Sequence, residues 1–110
     1  MGLTEEGAEK GGYDVEIGDF PYSINGLAMS YGQMQGSVKI VSESESGEIL
    51  GVHIVGPNAT ELVGEAVMAL QLECTSDELA HTIRVHPTFS EALMDAGRDA
   101  SGWGLYQPPK

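Results

Sequence analysis

One cysteine and only five lysines and arginines stand in 110 residues. The lone Cys74 excludes an intrachain disulfide and any multi-cysteine metal centre within one copy. The few basic residues face seventeen acidic ones, for a formal net charge of −12. Such a surface repels a phosphate backbone instead of releasing its counterions, so nucleic acid is excluded as a partner. No apolar run approaches the ~20 residues of a membrane-spanning helix. The opening Met1-Gly2-Leu3-Thr4-Glu5-Glu6 has neither the basic nor the hydrophobic region of a secretory leader. A cytoplasmic protein with no membrane partner is the expectation. Glycine is plentiful, yet no Gly-x-Gly-x-x-Gly or Walker sequence occurs, so the chain carries no evident phosphate cradle.

What is present is globular: 41% apolar and 20% charged residues, enough to bury one core. The chain reads as a single domain over 1–110, with 100–110 as an aperiodic tail whose Trp103 and Tyr106 suit docking on the body or on a partner. Thr4 suits the N-cap of a short helix over 3–10, with Glu5 and Glu6 at its positive end and Gly11-Gly12 stopping it. Tyr13, Val15 and Ile17 alternate with polar or small residues, which predicts a strand over about 13–20, ended by Pro21. Ser23-Ile24-Asn25-Gly26 reads as a turn leading into a short helical piece through Met29. Ser37–Val41 and Ile49–Val55 form two β-branched runs around a polar, glycine-containing segment, an antiparallel hairpin with a solvated tip.

After Gly56-Pro57, Asn58 and Glu61 have the spacing of a reciprocal capping pair, opening a helix over 59–73. Leu62, Val63, Ala66, Val67 and Leu70 give it one apolar stripe, and Met68 and Leu72 add a second flank, so burial on more than one side is expected. Ser76 suits the cap of a helix over 77–82, Arg84-Val85-His86-Pro87 reads as extended, and Thr88-Phe89-Ser90-Glu91 matches a capping box that restarts a helix at Thr88, with Ala92, Leu93 and Ala96 continuing inward.

Three groups of residues could carry chemistry. His86 and Glu91 make a base and an orienter: a neutral imidazole takes a proton near pH 7, and a carboxylate on its other nitrogen fixes the tautomer. Glu91 also has a structural use as the helix-start partner of Thr88. His81, His86 and Glu91 would supply nitrogen and oxygen ligands to a metal, but Pro87 breaks the helix that would have to carry them, so no metal is expected. Cys74 follows Glu73 at a helix end, where negative potential disfavours a thiolate, and reads as an ordinary thiol. His53, between Val52 and Ile54, reads as a hydrogen-bonded histidine on a sheet face.

Gly51-Val52-His53-Ile54-Val55-Gly56-Pro57-Asn58-Ala59-Thr60-Glu61-Leu62 and, later, His86-Pro87-Thr88-Phe89-Ser90-Glu91 carry a resemblance. The chain resembles the C-terminal dimerisation domain of the pyridine nucleotide-disulfide oxidoreductases, and most of all the dihydrolipoamide dehydrogenase branch, from Gly2 to about Asp99. Gly56-Pro57-x-Ala59-x-Glu61-Leu62 favours that branch over glutathione reductase, which shares only the second segment. The resemblance implies an α+β fold of the reductase dimerisation-domain type. A mostly antiparallel sheet of three or more strands, near 13–20, 36–42 and 48–56, would be covered by helices.

The resemblance also implies roles. His86 would be the acid/base for dithiol–disulfide exchange and Glu91 the residue that orients it, serving the active site of the other subunit of a homodimer. The His86-Pro87 peptide would be cis, with its backbone near the partner subunit's flavin. The helix at 59–73 and the segment from Arg84 to Ala96 would form much of the two-fold interface. FAD and NAD belong to the full-length enzyme; the domains that bind them and the C-x4-C redox pair are not in this sequence, so a fragment that binds no cofactor and is inactive alone is expected. A basic peripheral subunit-binding domain of an acyltransferase is a further implied partner. Two departures bear on the substrate: Arg84 stands where many members have a second histidine, and Leu27 where a basic residue is common. The alternatives are a protein–protein interaction module without catalytic use, or the equivalent domain of another disulfide reductase.

Overall fold

The computed structural model describes residues 1–33 and 35–102. In chain order these form α1 (Glu5–Lys10), β1 (Val15–Pro21), a 3-10 turn (Tyr22–Ile24), α2 (Gly26–Tyr31), β2 (Ser37–Glu43), β3 (Ile49–Val55), α3 (Ala59–Gln71), α4 (Ser76–His81) and α5 (Glu91–Ala100). The three strands make one antiparallel sheet in the order β1-β2-β3. This is the α+β arrangement expected, with strand limits shifted by a residue or two at most ends. Trp103 and Tyr106 lie outside the described residues, and α5 runs through Ala100, one residue into the expected tail.

Strand alternation sorts the residues onto two faces. Phe20, Val38, Ile40 and Val52 point into the main core, where they meet Leu62 and Ala66 of α3 and Ala92, Leu93 and Ala96 of α5. The opposite face carries Lys39 and His53, which are register partners, and it is covered by the N-terminal segment. There Lys39 donates to Glu5 at 2.9 Å, the His53 ring contacts the Leu3 carbonyl at 2.9 Å, and Leu3 N–H donates to Leu50 at 2.9 Å. His53 is thus a hydrogen-bonded sheet-face histidine, as its neighbours in sequence suggested. The tip of the hairpin is ordered by Glu43, whose carboxylate accepts from the Glu45 and Ser46 amides and the Ser46 hydroxyl. The Ser46 hydroxyl, chiefly, holds that carboxyl below the ordinary range.

Several helix starts differ from the sequence reading. Asn58 has φ +61 and makes no side-chain cap, so the Asn58–Glu61 pair does not form; the chain leaves Gly56-Pro57 through a left-handed residue, where an N-cap residue ordinarily has extended backbone. On α4 the cap is Thr75, not Ser76: Thr75 accepts from the Glu78 amide at 3.1 Å and Glu78 accepts from the Thr75 amide at 2.8 Å, a complete capping box. Replacing Thr75 by Ala should therefore lower stability by about 1 kcal/mol, read as a fall in the urea midpoint; an unchanged midpoint would show that the box contributes nothing. Helix α2 is capped by the Asn25 side chain, which accepts from Ala28 at 2.9 Å, and ends at Gly32 with φ +69.

Helix α3 buries Leu62, Ala66 and Ala69 but leaves Val67, Met68 and Leu72 exposed, the last two at 60% and 66%. The expected second buried side is thus open in the single chain. Helix α5 behaves oppositely. From Ala92 to Gly97 every residue is buried, so its apolar side serves the chain's own core and is not available as interface. Among the described residues no helix is long and apolar enough to cross a membrane.

Candidate active site

His86 lies in the loop between α4 and α5, with its side chain 75% exposed. Its Nδ1 sits 3.0 Å from Glu91 Oε1 and 2.9 Å from Oε2, and the Glu91 side chain is largely buried at the first residue of α5. An ionised carboxylate only accepts, so Nδ1 carries the proton and Nε2 keeps a free lone pair. That is the tautomer a general base needs, on a side chain that is mostly exposed. The His86-Pro87 peptide is cis, as the resemblance implied.

Glu91 performs both uses that its sequence position suggested. While facing the imidazole, Oε1 also accepts from the Thr88 amide at 2.9 Å. The other half of the expected capping box is missing, because the Thr88 hydroxyl donates to the Val85 carbonyl at 2.8 Å, and the helix begins at Glu91 and not at Thr88. Glu91 thereby ties the loop down from a helix end and holds the ring in the same carboxylate.

A second layer comes from the 3-10 turn and α2. Asn25 caps α2 with its Oδ1 and donates its Nδ2 to the Thr88 carbonyl at 3.0 Å, across 63 residues of sequence. Gly26, next to it, lies against the imidazole: a Cβ built there would be 3.6 Å from His86 Cε1. Phe89 is buried beneath the loop and packs on Tyr22 and Tyr31, with ring centroids 5.5 and 6.2 Å apart. Tyr22 in turn donates its hydroxyl to the Pro57 carbonyl at 2.9 Å, and burial raises its pKa. From the sequence, Asn25 reads only as a turn residue. Its spacing to Ala28 signals the cap, but nothing in the sequence signals the bond to Thr88.

The other candidates are dispersed. His81 Nδ1 is engaged with the Asp77 carbonyl at 2.9 Å, and no group of three metal-ligating side chains exists among the described residues. Cys74 is half-buried after α3, its carbonyl accepting from the Ile49 amide at 2.9 Å.

One turn beyond Glu91, Asp95 is buried, its Oδ1 lacks a hydrogen bond, and Arg98 Nη1 stands 3.5 Å away. Burial raises its pKa, Arg98 opposes the rise, and Glu91 adds to it. A carboxyl with a raised folded-state pKa binds its proton more tightly folded than unfolded, so its stabilisation is complete below the unfolded value and is lost as pH rises through the folded one. Asp95→Asn should therefore be more stable than the parent at pH 7, with the advantage vanishing as pH falls below the ordinary carboxylate range. Urea unfolding of both chains across that span checks this; an advantage independent of pH would refute it.

Comparison with known proteins places this geometry. Residues 1–97 match the family model described as pyridine nucleotide-disulphide oxidoreductase, dimerisation domain. The dihydrolipoyl dehydrogenase of Thermus scotoductus is 48% identical over 96 residues, 87% of this chain and 21% of that one. The dihydrolipoyl dehydrogenase of Bacillus subtilis is 42% identical over 106 residues, 96% of this chain and 22% of that one. Among solved structures, LpdA from Mycobacterium tuberculosis superposes with a TM-score of 0.82 at 28% identity, covering 89% of this chain and 21% of LpdA. The HOCl-induced flavoprotein disulfide reductase RclA from Escherichia coli shares the fold, with a TM-score of 0.80 at 24% identity over 86% of this chain and 22% of RclA. The chain thus spans about a fifth of the length of these relatives. The three-stranded antiparallel sheet with its helices and these matches agree: the chain belongs to the dimerisation-domain family of the pyridine nucleotide-disulphide oxidoreductases, and dihydrolipoyl dehydrogenases are among its relatives in sequence.

Proposed function

We propose that this domain pairs with a second copy of itself and lends His86, oriented by Glu91, as the acid/base for dithiol–disulfide exchange in the partner subunit's active site of a dihydrolipoyl-dehydrogenase-like enzyme. The observation that carries this reading is the Nδ1–carboxylate contact at 2.9 Å on a ring that is otherwise open. His86 Nε2 takes the proton of a substrate thiol. The resulting thiolate attacks a disulfide sulfur, forming a mixed disulfide and releasing the other sulfur as a thiolate. The second substrate thiol, deprotonated in the same way, closes the substrate disulfide, and the two enzyme sulfurs are left reduced. His86⁺ is stabilised by Glu91 and returns its protons to the medium or to the departing sulfur.

The disulfide, FAD and NAD belong to the active site this domain would complete. These residues do not make a cradle for either cofactor: the sequence has no glycine-rich phosphate turn and its one cysteine is half-buried. No step is assigned to a cofactor held here, and only the backbone at His86 and Pro87 would come near the partner's flavin.

Association is supported by an uncovered apolar surface. Met68 on α3 and Leu72 just past its end are exposed and share a helical face with Glu65, which bonds Arg84, whose neighbours Ile83 and Val85 are exposed too. Exposed apolar side chains of this kind suit an interface, and an interface between two copies of one chain closes as a two-fold dimer. Sedimentation should find the chain dimeric and Met68→Asp monomeric with an unchanged far-UV spectrum; a wild-type chain that stays monomeric at high concentration would overturn the association. The acid/base role is tested by supplying this domain to the FAD- and NAD-binding parts of the enzyme and measuring dithiol oxidation. Restored turnover supports the reading, and none contradicts it. The docking of a basic subunit-binding domain is the weaker reading, favoured by the net charge of −12.

A further inference from the structure

The loop that carries His86 is secured on both sides. Downstream, Glu91, Thr88 and Asn25 hold it, as described above. Upstream, Ile83 and Val85 point outward, 86% and 78% exposed, while the Arg84 side chain between them is only 7% exposed. Its guanidinium reaches two elements. Nη1 donates to the Leu79 carbonyl at 3.1 Å, in the last turn of α4, and to the Thr82 carbonyl just beyond it. Nη2 donates to Glu65 Oε2 on α3.

Carbonyls at a helix C-terminus have no partner within the helix, and a buried guanidinium requires a carboxylate. Arg84 answers both needs at once, and its planar fork makes the three bonds in directions a lysine cannot reproduce. The backbone just before His86 is therefore pinned to α3 and α4, whereas Glu91 fixes only the ring's Nδ1 edge and the chain after it.

We propose that Arg84, braced by Glu65, is a positioning residue for His86: it sets the backbone from which the imidazole projects, and so where Nε2 sits relative to the body of the domain. This deepens the acid/base reading and rests on it for its effect on turnover, but the geometric part can be read without it. The competing role is helix capping alone, which would support α4 and leave the imidazole unmoved.

The contact between His86 and Gly26 separates the two. In the 110-residue chain, a cross-peak between His86 Hε1 and a Gly26 Hα is expected in proton NOE spectra, given the 3.6 Å approach at that position. Arg84→Met should lose it while the Thr88 amide, bonded to Glu91, stays protected from exchange. Arg84→Lys should recover part of it, since an ammonium on a similar stem still reaches the carbonyls. Should Arg84→Met fail to fold, Glu65→Ala at a half-buried site is the deciding variant, with a weakened cross-peak expected. A cross-peak at wild-type strength in the folded variant, whatever its Tm, overturns the proposal. In the reconstituted enzyme Arg84→Met should lower kcat/KM by about 10- to 100-fold, the scale of a small misplacement of a reacting group. If His86→Ala leaves turnover intact while the cross-peak is lost in Arg84→Met, the acid/base reading fails and the positioning stands. If His86→Ala abolishes turnover and the cross-peak survives, the reverse holds.

Discussion

His86→Ala, supplied to the cofactor-binding parts of the enzyme, should lower dithiol oxidation by about 10²–10⁴-fold, the range a positioned general base contributes. The loss should fall mainly on kcat, because the imidazole acts on the proton in flight and little substrate surface is expected to rest on an exposed ring. The structure also makes this substitution benign for the fold. The side chain is 75% exposed, and Glu91 keeps its bond to the Thr88 amide when the ring is gone. Stability should therefore stay within the ±0.5 kcal/mol typical of surface changes, which separates a chemical loss from unfolding. Equal rates for the two domains would remove His86 from the reaction. A large fall in Tm would show instead that the ring is a structural part of the loop.

Gly18→Val is the second large effect, and it acts on stability. A Cβ at Gly18 would lie 2.1 Å from the Ala96 carbonyl oxygen and 2.7 Å from both the Cβ and the amide of Ala100. Two of those three atoms are backbone, so no rotamer change relieves the clash; α5 itself must lift from β1. Overpacking of this kind costs about 3 kcal/mol, the upper part of its usual range, which corresponds to a fall of about 10–20 °C in Tm for a domain of this size. Because Glu91 opens the same helix, displacement of α5 should also disturb the His86 contact. Gly64 supplies the control. It is a helical glycine with nothing within 4 Å of its Cβ position, so Gly64→Ala should stabilise by about 0.5–1 kcal/mol. If calorimetry puts Gly18→Val within a degree or two of the parent, the close approach of α5 to the sheet is wrong.

These two residues show where sequence reasoning reaches and where it stops. The site pair was legible through the resemblance carried by His86-Pro87-Thr88-Phe89-Ser90-Glu91; spacing alone signals it weakly, since Glu91 also serves the loop and His81 stands beside Asp77 in the same way. The hairpin and the start of α3 were legible, since Gly47, with φ +78, and Gly56-Pro57 punctuate runs of β-branched residues. Capping was read less well. Thr88 and Asn58 have cap spacing, but the Thr88 hydroxyl is drawn to Val85 and the Asn58 backbone is left-handed, while the box at Thr75 and Glu78 was present in the sequence and overlooked.

The face that α5 presents could be read only in part: Ala92, Leu93 and Ala96 point inward as expected, but nothing in the sequence shows that every residue from Ala92 to Gly97 is buried. What settles it is the absence of a side chain at Gly18 on a distant strand, together with small residues at 96 and 100 that let two backbones approach. Arg84 is a comparable case: as a sequence position it was merely an unusual residue before a histidine, and only the fold brings Glu65 and the end of α4 to its guanidinium. By itself the sequence determined the order and type of most elements and the family, because those depend on residues near one another in the chain; it left open whether Glu91 serves His86 or the Thr88 amide, and the structure gives both contacts. Tertiary structure alone decided that α5 is buried from Ala92 to Gly97 while Val67, Met68 and Leu72 stay exposed, and what holds the His86 loop in place, because each depends on contacts between residues that only folding brings together.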